Sequence, residues 1–196
     1  TADAENDGSR HDMGGDIIPN FVSRGEGLVY DFTANEVPGS TDRDKAYWRD
    51  VGTLDAYHEA HMDLVSVDPV FNLYNLDWPI WTYPVQMPGA KFTLKGVAMD
   101  SIVSPGCVVS GGSIESSVLS PNVAVHDGAK VDNSVILSHV IIGHNAVVHR
   151  AILDKNVVVP DGAKVGVDPE ADEARGFSVS EGGITVVGKG VTVSPT

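Results

Sequence analysis

The sequence is poor in cysteine, in positive charge and in long apolar runs. Cys107 is the single cysteine among 196 residues, so no internal disulfide can form. With no signal-like apolar h-region either, this points to a reducing cytoplasm. Thirteen Lys and Arg stand against 27 Asp and Glu, a formal charge of −14. Nucleic acid and anionic membrane surfaces demand clustered Lys and Arg, so neither is expected as a partner. No apolar run approaches the roughly 18–20 residues that span a bilayer. There is no initiator Met. The chain opens at Thr1 in an acidic, polar stretch (residues 1–10), and an upstream part has to be considered.

What is present is ordinary for a globular protein. Apolar residues make up 42 % of the chain, and one or two domains could each bury a core. Charge is uneven. Residues 1–60 hold 13 acids and 5 bases, residues 61–90 hold 3 acids and no base, and residues 91–166 hold 6 of each. This shift near residue 90 suggests a domain boundary.

The second half repeats. Val103, Val109, Ile114, Leu119, Val125, Val131, Leu137, Ile142, Val148, Leu153, Val159 and Val165 follow one another in steps of five or six. A small or β-branched residue often sits four places later, as at Cys107, Ser113, Val123, Ala129, Ala146, Val157 and Ala163. Gly, Asn, Asp and Pro mark the intervening turns, as in Pro105-Gly106 and Pro160-Asp161-Gly162. This is hexapeptide spacing and predicts a parallel β-helix, with three hexads closing a coil of about 18 residues. Sandwich strands recur at longer intervals, about 8–12 residues. Four coils suffice for neighbour-on-neighbour stability.

The first half has no such period. Thr53 precedes Leu54, Tyr57, His61, Leu64 and Val65, a capped helical face. Phe21-Val22 and residues 28–32 read as short strands. Residues 66–96 hold Pro69, Pro79, Pro84 and Pro88 among Phe71, Tyr74, Trp78, Trp81 and Tyr83, an extended connector packed by large side chains. The resulting division is 1–65 as the end of a larger α/β domain, 66–96 as connector and 97–190 as β-helix.

The most informative segment is Tyr47-Trp48-Arg49-Asp50-Val51-Gly52-Thr53. An acid directly ahead of a capped helix can hold a hard cation such as Mg²⁺, which takes one or two carboxylates plus phosphates and water. Equally, such an acid can compensate the positive end of the helix. The histidines read as bland. His58 and His61 are three apart, where a zinc-protease helix needs four. His126, His139, His144 and His149 fall on outward places of the repeat, and successive hexads face different sides. Cys107 fills a small-residue slot and reads as packing.

Three segments in order carry a resemblance: His11-Asp12-Met13-Gly14-Gly15-Asp16-Ile17-Ile18-Pro19, the segment at 47–53, and Asn75-Leu76-Asp77-Trp78-Pro79-Ile80-Trp81-Thr82-Tyr83. It continues through the hexapeptide repeats to Glu181-Gly182-Gly183-Ile184. Over essentially its whole length the chain resembles the glucose-1-phosphate adenylyltransferase family of bacterial glycogen synthesis. The resemblance implies a mainly β chain, in which the C-terminal edge of an α/β nucleotidyltransferase domain precedes a left-handed parallel β-helix. It implies Mg²⁺ as cofactor, glucose 1-phosphate and ATP as substrates, sugar-phosphate effectors and a homotetramer. Asp50 would be the second of two metal-binding carboxylates. Asp12 and Met13 would face the glucosyl group, and Trp48 would line the sugar pocket. Without the resemblance, Asp12 reads as the cap of a helix beginning near Gly14 and Trp48 as core. Lys155 and Lys189 stand where relatives often carry effector-binding Arg; Arg150 and Arg175 are further candidates, and solvated surface charge is the plain alternative.

The Gly-rich nucleotide loop, the first catalytic Asp and the phosphate-gripping Lys of the family are not in these residues. The Gly pairs 14–15, 111–112 and 182–183 do not sit between a strand and a helix as a phosphate cradle requires. Two other readings compete. One is a hexapeptide acyltransferase with His126 or His144 as general base. The other is a non-catalytic β-helix module for assembly or effector sensing, its open coil edges offering a pairing surface. Under the adenylyltransferase reading the 196-residue chain alone is expected to form no ADP-glucose above background. Sustained ADP-glucose synthesis by the isolated chain would contradict that expectation.

Overall fold

A computed structural model describes residues 2–82 and 86–194; Thr1, Tyr83 and Pro84 lie outside them. The chain divides into two compact units, with the boundary between Glu36 and Val37.

The second unit contains the solenoid. Among the described residues its strands form three sheets, two of five strands and one of six. Every pairing among them is parallel except Ser178–Val179 against Thr185–Val187. Each sheet stacks one inward residue per coil. On the first face Phe92, Val109, Val125, Ile142 and Val159 lie in register. On the second the column is Ala98, Ile114, Val131, Val148 and Val165. On the third it is Val103, Leu119, Ile136, Leu153 and Val187. These columns, apart from the exposed Phe92 of the first rung, form one continuous core with Cys107, Val123, Val140 and Val157 at one corner and Ala129, Ala146 and Ala163 at another.

The hexapeptide reading holds, with two corrections. From Val109 to Val125 is 16 residues, and from Val125 to Ile142 and from Ile142 to Val159 is 17, so the coil is shorter than 18. At one rung the inward residue is Ile136, fully buried, and not Leu137. Three apolar residues run together there, Val135-Ile136-Leu137, and period alone cannot choose among them. Val135 and Leu137 point outward and pack under a helix instead.

The corners explain the turn residues. Asn122, His139 and Asn156 carry positive φ at one corner, Gly128, Asn145 and Gly162 at the next, and Asp100, Ser116, Asn133 and Arg150 at the third. Left-handed backbone favours Gly and Asn. A serine ladder lines the third corner. The amide of Ser117 donates to Ser101 Oγ at 3.0 Å, that of Ser134 to Ser117 Oγ at 3.1 Å, and that of Ala151 to Ser134 Oγ at 3.1 Å. Each hydroxyl donates in turn to a carbonyl two residues back, so these buried groups are satisfied.

The fourth coil is interrupted between Val165 and Thr185 by a short helix, Pro169–Ala174, capped by Asp168. Buried Asp172 fixes this insertion by accepting from the Gly166 amide (2.6 Å), the Thr185 hydroxyl (2.7 Å) and Arg175.

Ahead of the solenoid, helix α2 (Leu54–Val65) begins where the sequence places it. Thr53 Oγ1 accepts from the Ala56 amide at 3.1 Å. Tyr57 and Met62 pack on Val135, Ile152 and Ile184 of the third face. The first solenoid strand, Lys91–Thr93, lies within the stretch 66–96. The connector's aromatics depart from expectation. Phe71 packs on Tyr47 with ring centroids 5.0 Å apart, but Tyr74, Trp78 and Trp81 are exposed, Trp81 by 90 %. Pro69, Pro79 and Pro88, which lack a backbone N–H, stand in irregular backbone ahead of that strand.

In the first unit the expected strands are absent. Phe21 and Val22 lie in helix α1 (Ile18–Ser23), opened by Pro19 in its first turn. Residues 28–31 form no strand, and Phe32–Ala34 is a 3₁₀ turn capped by Asp31.

Replacing Ile136 by Ala is expected to cost about 2–5 kcal/mol, as for buried aliphatic truncations. Leu137→Ala should cost clearly less. Urea unfolding midpoints of the two variants check this inversion of the simple period.

Candidate functional site

The predicted site residues fall in both units. In the first unit Asp12 caps a π-helical turn, Met13–Ile17, and its carboxylate accepts from the Gly15 amide. The reading of Asp12 as a cap is thus met. Met13 begins that turn and is 63 % exposed.

In the second unit Trp48 and Asp50 lie on an irregular segment that runs into the Thr53 cap. Trp48 is 74 % exposed among the described residues. Asp50 Oδ1 accepts from the Gly52 amide at 3.0 Å. Its Oδ2 accepts no hydrogen bond among the described residues. An exposed carboxylate with one oxygen steadied and the other uncommitted fits one ligand of a hard cation. Among the described residues no group of three or more His, Cys, Asp or Glu is placed to hold a metal by itself.

Behind Asp50, α2 is tied to the solenoid by polar contacts that the sequence reading missed. Asp55 Oδ1 accepts from the Ser180 hydroxyl at 2.5 Å, and Oδ2 from the Gly182 amide at 3.3 Å. Arg150 Nη2 donates to the Gly182 carbonyl at 2.8 Å. His58, 6 % exposed, sets Nε2 2.7 Å from the Asn133 carbonyl, which fixes the Nε2–H tautomer. Burial lowers its pKa below the ordinary 6.5, the Asn133 contact opposes that, and the charge of Arg150 adds to it. These groups line a cleft of about 360 Å³ between α2 and the third corner. A larger cleft, about 550 Å³, lies along residues 64–70 and 100–102 and takes in none of the predicted site residues.

Lys155 and Lys189 are brought together by the coil. The Gly190 amide donates to the Lys155 carbonyl at 2.9 Å, so the two turns lie on adjacent rungs. Both lysines are exposed, and neither forms an ion pair among the described residues. Arg175 does not belong with them: it is spent on Asp172 and on the Lys164 carbonyl. The histidines do not converge. His126 lies tilted against His144 with centroids 5.0 Å apart, His139 meets Asn122, and His149 Nδ1 lies 2.7 Å from Asp132. Burial pushes the Cys107 thiol up, consistent with a packing role.

Residues 86–187 match the family model described as GlmU-like, C-terminal hexapeptide. The chain belongs to this family. Residues 1–67 match the nucleotidyl transferase model, a stretch that takes in the Asp50 segment and α2. Curated relatives extend the likeness to nearly the whole chain. A glucose-1-phosphate adenylyltransferase of Cutibacterium acnes is 62 % identical over 97 % of this chain and 47 % of its own length. Those of Parafrankia sp. (59 %; 98 % of this chain, 48 % of the relative) and Corynebacterium jeikeium (56 %; 97 % and 47 %) are similar. The chain spans about half the length of the curated relatives it matches. No helix among the described residues is long and apolar enough to cross a membrane.

Because the native His58 pKa is lowered, the unfolded chain takes up the proton first. The contribution of neutral His58 is complete above pH 6.5 and is lost as pH falls through the lowered native value. The urea midpoint should therefore drop on acidification below about pH 6.5, and His58→Gln should flatten that slope. An unchanged slope in the variant would assign it to other groups.

Proposed function

We propose that this chain is the C-terminal part of a glucose-1-phosphate adenylyltransferase. The observation that carries the reading is 56–62 % identity to such enzymes along nearly the whole chain. A nucleotidyl transferase segment and a hexapeptide solenoid follow one another in it. In the proposed reaction a phosphate oxygen of glucose 1-phosphate bonds to the α-phosphorus of ATP. The bond from that phosphorus to the bridging β-phosphate oxygen breaks, giving ADP-glucose and pyrophosphate. Residues 1–65 would be the end of the catalytic domain, 66–96 the connector and 97–190 the β-helix domain.

The roles follow from the side chains. Asp50 presents its free oxygen as one ligand for Mg²⁺, which when bound supplies neutralisation of phosphate charge. The indole of Trp48 would offer a flat apolar face to a sugar ring. Asp12 is held by its own turn with its backbone fixed, and it and Met13 would face the glucosyl group. Lys155 and Lys189, adjacent and unpaired, suit an anionic sugar-phosphate effector, as point charges and not as the bidentate fork of Arg. Assembly as a homotetramer, a cytoplasmic place and a role in glycogen synthesis belong to the same reading. The acyltransferase alternative gains nothing specific: among the described residues no carboxylate orients His126 or His144.

In the full-length polypeptide Asp50→Asn keeps the size of the side chain and removes its charge. It should lower kcat for ADP-glucose formation by at least about 100-fold, in line with loss of a charge-stabilising group, with the thermal midpoint little changed. Near-normal kcat in a folded Asp50→Asn enzyme would refute the assignment.

A further inference from the structure

The motif Glu181-Gly182-Gly183-Ile184 has no task in the roles above. In the fold it forms a tight turn between Ser178–Val179 and Thr185–Val187, with Gly183 at φ +80°. The turn is internally braced. The Ser180 amide donates to the Ile184 carbonyl at 3.0 Å, and the Ile184 amide donates to Ser180 Oγ at 3.0 Å. Its outer side is shaped for Asp55. A Cβ at Gly182 would lie 2.4 Å from Asp55 Oδ1, so a side chain there would break the contact. Arg150 grips the same turn from the solenoid corner through the Gly182 carbonyl.

Asp55 is the second residue of α2, two after the Thr53 cap and five after Asp50. One turn later His58 docks on Asn133. The first two turns of α2 are therefore pinned at two points to the solenoid, while among the described residues the Asp50 side chain has only the local Gly52 hydrogen bond. Three residues separate Asp50 from Leu54, where α2 begins, and the helix start is held by Asp55. We propose that Asp55, with Ser180 and Gly182 as its partners, is a positioning residue for Asp50. The β-helix turn at 180–184 thereby sets the geometry of the metal-binding carboxylate. This inference rests on the proposed role of Asp50.

The test uses the full-length polypeptide and two readouts: Mn²⁺ binding followed by EPR, and kcat with the KM for each substrate. Asp55→Ala and Ser180→Ala should each weaken Mn²⁺ binding about tenfold, the lower end for residues that orient a metal ligand. Each should lower kcat with the KM for ATP unchanged. The double variant should be no worse than the poorer single, and Ser180→Thr, which keeps the hydroxyl, should restore both readouts. Variants that lose thermal stability while Mn²⁺ binding and kcat of the folded enzyme stay normal would overturn the proposal, as would additive losses in the double variant. Asp50→Asn separates the two levels. If it abolishes Mn²⁺ binding and activity while Ser180→Ala changes neither, the positioning role alone fails. If it changes neither, the role of Asp50 fails and the positioning role with it.

Discussion

The structure depends on the in-register stacking of one aliphatic side chain per face per coil. Parallel pairing sends the backbone hydrogen bonds of each rung to the next, and the inward residue meets its equivalent 16 or 17 residues away. The helix α2 buries far less, with His58 alone below one-tenth exposure. The stack leaves three flat outer faces and three corners in left-handed backbone. Helix α2, the 180–184 turn and the Lys155 and Lys189 turns are all attached to those faces and corners.

The third face shows how the attachment works. Its outward residues Val135 and Ile152 would be exposed on a bare solenoid, and α2 covers them with Tyr57 and Met62. The apolar contact sets where the helix lies. The polar contacts of Asp55 and His58 set its rotation and axial position, because hydrogen bonds are directional and the burial of methyl groups is not. At the opposite end of the strand that follows the 180–184 turn stand Lys189 and, one rung before, Lys155. The proposed effector corner and the proposed metal carboxylate thus connect to the same short strand, Thr185–Val187.

Much of this was legible in the sequence, because the solenoid is a counted period and Thr53 is a cap with a local partner. The slip at Leu137 came where three apolar residues adjoin and both neighbours of the inward one have their own work under α2. The serine ladder left a trace at Ser101, Ser117 and Ser134, spaced like the aliphatic columns, but polar residues do not enter a hydrophobic count. Phe21 and Val22 have strand-forming side chains, yet Pro19 begins a helix through them. The exposed Trp78 and Trp81 carry no local sign of exposure, since burial is a property of what packs on a ring and not of the ring. Asp55 was invisible for a related reason. Its partners lie 125 and 127 residues away, and an acid in the first turn of a helix already has a sufficient local explanation.

Helix α2 and the solenoid act as one mechanical body to which the segment bearing Asp50 is anchored. Hydrogen–deuterium exchange on the intact wild-type protein measures this directly. The amides of residues 57–65 are predicted to exchange together with those of the solenoid rungs between Cys107 and Val165, as one slowly opening unit. Rapid exchange throughout α2 while the rungs stay protected would show that the helix comes free of the third face, and would contradict the anchoring on which the placement of Asp50 rests.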